Sequence, residues 1–191
     1  YASARVQEQL AALDVPFEAG LAETGVVGWI MPDGEAAEAD GVALRADMDA
    51  LPIAEQTGLP YASQHEGVMH ACGHDGHTTI LLGAARALMA IRGRLPRPVK
   101  LIFQPAEETR GGGKRMVEAG ALGESVGGFA AKSIYGLHGW PVEALGNFAT
   151  RVGPLMAATD SFDITVHSTG GHAATPHLYA DTVVCASAIV T

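Results

Sequence analysis

Short apolar runs, each cut off by turn residues, constrain this chain more than any other feature. They are "TGVVGWI", "GVALRADMDALP", "VKLIFQPAEE" and "IYGLHGWP". Each carries too few apolar residues for a buried helix and reads as a short buried strand. Between the second and third lies "TTILLGAARALMAI", a helix pattern with Ile80, Leu81, Ala84, Ala85 and Leu88 expected toward a core, broken by "RGRLPRP". The opening "YASARVQEQLAAL" predicts an amphipathic helix with Val6, Leu10 and Leu13 on one face, ending before "DVPFEAG". "MPDGE" reads as a turn, and "GGGKRMVEAGAL" as a Gly-rich turn, a short helix and Gly120 as its C-cap. Helices and strands in this order predict an α/β fold, a sheet covered by helices. In such sheets the strand ends converge on one crevice, where ligands bind.

Beyond Pro154 the pattern changes. Phe162, Ile164 and Val166 alternate with Asp163, Thr165 and His167, which predicts an edge or one-sided antiparallel strand. Asp181 is expected to cap a helix over "TVVCASAIVT". A second domain is therefore expected from about Ala157, giving residues 1–156 as one domain and 157–191 as the beginning of another.

A chain of 191 residues with 48% hydrophobic and 17% charged residues can bury a real core and is far from the composition of disorder. Its net charge of −9 gives no attraction toward a phosphate backbone, so nucleic acid is not an expected partner. No apolar run is long enough to cross a bilayer, so no membrane partner is expected. The N-terminal helix does not resemble a signal peptide, although a start at Tyr1 rather than Met leaves a removed targeting segment open. Two cysteines, Cys72 and Cys185, are too few for a disulfide framework in a chain this long and point to a reduced compartment, the cytoplasm.

The chemistry gathers at the ends of the runs. "MHACGHDGH" packs His70, Cys72, His74, Asp75 and His77 directly before the apolar helix. A thiolate and an imidazole one residue apart can both reach a metal, and Cys, His and carboxylate form the usual ligand set for zinc and its neighbours. An isolated pair of this kind more often describes a buried cysteine beside a solvated histidine. Glu107 and Glu108 follow a buried strand; in an extended chain they point in opposite directions, so one can bind a metal while the other moves a proton. Asp47, Asp49 and His138 also sit at strand ends. No nucleophile elbow, dinucleotide fingerprint or phosphate-binding P-loop competes with this assembly.

"RADMDALP", "MHACGHDGHTTILLGAA", "LIFQPAEE", "GLHGWP" and "GGHAATPH", in that order, closely resemble the M20 metallopeptidase family in its amidohydrolase branch of N-acyl-amino-acid and hippurate hydrolases. The resemblance runs from about Gly25 to the last residue. It implies a zinc-exopeptidase-like catalytic domain with a mixed central sheet, followed by the start of an α+β lid or dimerisation domain. It implies Cys72, His74, Glu108 and His138 as metal ligands and Glu107 as general base. Asp49 is implied to orient the cluster from behind its ligands. His172 is implied to hold the substrate carbonyl or carboxylate, often in a neighbouring subunit's site. His70, Asp75 and His77 are left as supporting or helix-capping residues, with capping sufficient to explain Asp75.

The resemblance further implies two divalent metal ions, zinc or manganese before cobalt or nickel, a small N-acyl amino acid as substrate, and a homodimer formed through the lid. The expected reaction is hydrolysis of the acyl amide bond by a metal-activated water with Glu107 as base. A di- or aminopeptidase of the same family and a non-catalytic metal-binding protein are the alternatives. The family carries another ligand histidine downstream of the point where this sequence stops. On ligand counting, the 191-residue chain alone is expected to bind at most one metal firmly and to show little hydrolysis.

Overall fold

A computed structural model describes residues 1–34, 40–158 and 160–190. The chain divides into two compact units, Tyr1–Val142 and Glu143–Thr191. Glu35 of the expected turn and Thr191 of the expected last helix lie outside the described residues.

In the first unit, helix α1 (Ala2–Ala12) precedes β1 (Phe17–Leu21), β2 (Gly25–Ile30) and β3 (Gly41–Asp47). Then come α2 (His74–Ala90), β4 (Val99–Gln104), α3 (Gly112–Glu118) and β5 (Ala131–Gly136). The strands form one mixed sheet in the order β1-β2-β4-β3-β5. β1 and β2 are antiparallel, as are β2 and β4, whereas β3 runs parallel to both β4 and β5. The C-terminal ends of β3, β4 and β5 therefore share one edge of the sheet, and the connections after them are brought together there.

Alternation along the strands feeds two cores, one on each face. Val99, Leu101 and Phe103 of β4 pack with Val6 and Leu10 of α1 and with Leu81 and Ala85 of α2. Ile102 faces the other way and packs with Val27, Ala43, Met116 and Val126. Lys100 shares that second face and is fully buried. Its ammonium donates to the carbonyls of Ala121 and Gly123 at 3.0 and 2.6 Å and lies 5.1 Å from the Phe129 ring centroid. Burial lowers the Lys100 pKa from its ordinary value. The two carbonyls supply the partners without which a buried ammonium would be costly.

Three local readings change. The helix expected from Thr78 begins at His74, so it carries the ligand-type histidine on its first turn, and Ile80 faces outward at 54% exposure. β1 is an additional strand; its burial falls mainly on the last residue, Leu21, so it lacked the alternation that marks a half-buried strand. In the second unit, the alternating stretch 162–166 is not a strand. A lone strand without a hydrogen-bonded neighbour is not stable, and no partner strand occurs among the described residues of that unit. The expected helix is present as α4 (Thr182–Val190), after a short 3₁₀ turn at Pro176–Leu178. Asp181 Oδ1 caps it, accepting from the amides of Val183 and Val184 at 2.9 and 3.3 Å.

Candidate metal centre

The metal-type side chains of the first unit meet where β3, β4 and β5 end and α2 begins. Gly73 is the hinge of this arrangement. Its φ of +87° is left-handed backbone, readily adopted by glycine, and it turns the chain between Cys72 and His74. Ligand atoms of Cys72, His74 and Glu108 all lie within 4.8 Å of one another. His138, in the loop after β5, brings its Nε2 to 3.6 Å from Cys72 Sγ.

The hydrogen bonds fix which ring nitrogens are free. His74 Nδ1 lies 3.1 Å from both the backbone oxygen and Oδ1 of Asp49. Both are acceptors, so Nδ1 carries the proton and Nε2 presents a bare lone pair. That Nε2 is buried and has no hydrogen-bond partner. It faces Asp47 Oδ2 at 3.6 Å and Glu108 Oε1 at 4.0 Å. His138 repeats the pattern: its Nδ1 donates to the Gly139 carbonyl at 2.7 Å, which leaves Nε2 as the acceptor facing Cys72. In metal sites a ligating histidine ordinarily gives its second N–H to a carbonyl or carboxylate in this way.

Electrostatics point in the same direction. Burial, reinforced by the Glu108 and Glu107 carboxylates, pushes the Cys72 thiol up to about 11. Burial alone would also raise the Asp47 carboxyl, but the His77 hydrogen bond and the Arg45 guanidinium outweigh it and hold the pKa below the usual range. A thiol, an imidazole lone pair and carboxylates thus converge on one point, and the buried nitrogen itself meets no donor. A divalent cation fits such a donor set, would displace the thiol proton and would relieve the mutual repulsion.

Asp49 ties the cluster together from behind. Besides His74, its Oδ2 accepts the Glu108 amide at 3.1 Å. Glu107 and Glu108 lie in a turn past the end of β4, not in an extended strand, and Ala106 before them has φ +50°. This turn is pinned by Gly112, whose amide donates to the Ala106 carbonyl at 3.0 Å and where a β-carbon would collide with the Pro105 carbonyl oxygen.

The remaining sequence candidates fall into place differently. Asp75 is exposed, and the helix N-cap is Gly73 with no side-chain bond, so Asp75 does not cap α2 and contributes only its charge to the first turn. The half-buried His70 has a buried Nδ1 without a partner and belongs to neither cluster of metal-type groups. His172 belongs to the second unit, where its Nδ1 accepts the Ala174 amide at 3.1 Å. Sequence reasoning missed Arg45 and Gln104. Arg45 reaches Asp47 Oδ2 at 2.6 Å and Gln104 Oε1 at 2.9 Å; the period-two placement of Arg45 and Asp47 on one face of β3 was the available signal.

Residues 43–190 match the sequence profile of Peptidase family M20/M25/M40. This chain belongs to the M20 family. It is 46% identical over 168 residues to the N-acetyl-L-cysteine deacetylase of Bacillus subtilis (strain 168), covering 88% of this chain and 38% of that protein. It is 44% identical over 185 residues to IAA-amino acid hydrolase ILR1-like 5 of Arabidopsis thaliana, covering 97% of this chain and 40% of that one. Among solved structures, an M20-family peptidase of Bacillus subtilis described as dinuclear metal binding superposes with a TM-score of 0.65 at 38% identity. That match covers 73% of this chain and 37% of the other. A protein of methicillin-resistant Staphylococcus aureus described as an aminohydrolase superposes with a TM-score of 0.75 at 33% identity, covering 98% and 48%. The chain thus spans less than half the length of these M20 relatives. No helix among the described residues is long and apolar enough to cross a membrane.

Proposed function

We propose that this chain is part of a metal-dependent amidohydrolase that cleaves the amide bond of N-acyl amino acids. The single observation that carries the reading is the buried His74 Nε2, which has no hydrogen-bond partner and is surrounded by acceptors. The names of the relatives, a deacetylase of an N-acetyl amino acid and a hydrolase of an acylated amino acid, support the substrate class.

Cys72, His74, Glu108 and His138 would hold divalent ions, with Asp49 fixing the His74 ring and the Glu108 backbone. The dinuclear relative supports two ions. Zinc or manganese suits the set, and Cys72 favours the softer zinc. When bound, such ions acidify a water and polarise the acyl carbonyl. Glu107 receives a proton from the attacking water and returns it to the departing nitrogen as the C–N bond breaks. His172 would stabilise the charge on the carbonyl oxygen, from its own subunit or, in a lid-mediated homodimer, from the neighbouring one. The lid is assigned from about Ala157, inside the second unit. Two cysteines in 191 residues are too few for a disulfide framework, which suits a reducing compartment such as the cytoplasm.

The test pairs a panel of N-acetyl, N-benzoyl and N-indolylacetyl amino acids, assayed on the full-length protein with added zinc or manganese, with two glutamate variants. Glu107→Gln should keep its metal while turnover falls by about 10²- to 10⁴-fold or more, the range for a lost general base. Glu108→Gln should lose metal. Equal metal loss in both variants, with activity restored in both at high metal concentration, would contradict the division of roles.

A further inference from the structure

His77 belongs to a second cluster of metal-type groups, Asp47, His74, His77 and His138, all buried or half-buried within 4.8 Å of one another. By proximity alone it is as good a ligand candidate as the others. Its hydrogen bonds exclude it. The Gly139 amide donates to His77 Nε2 at 2.7 Å, so that nitrogen's lone pair is occupied. Nδ1 must then carry the ring proton, and it donates to Asp47 Oδ1 at 2.6 Å. Neither nitrogen has anything left for an ion, in contrast to His74 and His138, whose Nε2 lone pairs face the cluster.

The same bonds give His77 a different task. Asp47 is anchored by Arg45, which is itself held by Gln104, at the ends of the adjacent parallel strands β3 and β4. Thr78 Oγ1 donates to the Asp47 carbonyl at 3.0 Å, fixing the first turn of α2 on β3. From that rigid base the His77 ring reaches across to the loop after β5 and holds the backbone next to His138; the two rings lie 4.6 Å apart between centroids. Gly139 is bonded twice: its amide to His77 and its carbonyl to His138 Nδ1. We infer that His77 is a positioning residue: with Asp47 it fixes the Gly139 backbone by its N–H, and through the carbonyl of that same residue it sets the tautomer and aim of the His138 ring toward Cys72. This deepens the metal-centre reading and rests on it only for its functional consequence.

The experiment uses imidazole and amide NMR with zinc titration on the full-length protein. In the wild type, zinc should shift the Nε2 resonances of His74 and His138 by coordination and leave His77 Nε2 at its hydrogen-bonded position, with the Gly139 amide protected from exchange before zinc is added. His77→Phe keeps an aromatic ring but no polar pair; it should expose the Gly139 amide and weaken zinc binding by about 10- to 100-fold, the range for groups that orient ligands. His77→Gln retains a donor and an acceptor and should recover most of both losses. A coordination shift at His77 Nε2, or a freely exchanging Gly139 amide in the wild type, overturns the inference even if the Phe variant fails to fold. So does a folded Phe variant with unchanged zinc affinity. If no ring nitrogen in the wild type responds to zinc, the metal reading fails instead, while Gly139 protection and the tautomer of His138 still decide what His77 does.

Discussion

Replacing Asp49 with Asn alters one atom in a side chain that serves two ligands at once. One carboxylate oxygen accepts the His74 ring N–H at 3.1 Å and the other accepts the Glu108 backbone N–H at 3.1 Å. An amide has a single oxygen, so whichever way it turns, its NH₂ group faces one of these donors. The His74 ring keeps its bond to the Asp49 backbone carbonyl at 3.1 Å, which the substitution leaves in place. The loss is therefore about one hydrogen bond to a charged acceptor, or about 1.5–3 kcal/mol. At about 1.4 kcal/mol per tenfold, zinc should bind roughly 10- to 100-fold more weakly, and removal of one negative charge acts in the same direction. Calorimetric titration of zinc into metal-stripped wild-type and Asp49→Asn protein measures this, with the thermal melt in chelator as a check that the fold is retained. If the variant is folded and binds zinc within about threefold of the wild type, a difference below about 0.7 kcal/mol, Asp49 does not organise the centre in this way.

Gly112→Ala should destabilise the protein by about 1–3 kcal/mol or more, because its β-carbon would occupy the position of the Pro105 carbonyl oxygen. Zinc affinity should fall with it as the Glu107–Glu108 turn shifts; thermal melts and the same titration check both. Lys100→Met should cost about 1–3 kcal/mol, since two carbonyls lose a charged donor while an ammonium is spared burial. Burial lowers the folded pKa of Lys100 below its ordinary 10.5, so between those two values the unfolded chain binds more protons and the wild type gains stability as pH rises. Denaturant melts should show the margin over Lys100→Met widening toward pH 10.5; a margin that narrows with pH would contradict the assignment.

Local sequence chemistry carried much of the architecture. The runs at Val26, Val42, Val99 and Ile134 became β2, β3, β4 and β5, and Asp181 caps the last helix as expected. The failures were local as well. β1 lay hidden because its strand is mostly exposed, and Phe162–Val166 alternates like a strand without a neighbour to pair with. A period of two is a property of the segment, whereas a strand is a property of a pair.

The centre divides along the same line. Donor chemistry at the ends of buried strands marked Cys72, His74, the Glu107–Glu108 pair and His138 as candidates, and the division into ligands and base came from the family resemblance. Apart from that resemblance, residue type and spacing could not rank His74, His77 and His138, which are chemically identical residues in similar settings. Their difference lies in partners distant along the chain: Asp49 stands 25 residues from His74, while Asp47 and Gly139 stand 30 and 62 residues from His77. An imidazole is a ligand, a proton carrier or a brace according to which of its nitrogens is already bonded. Only the parallel pairing of β3, β4 and β5 brings those partners into reach.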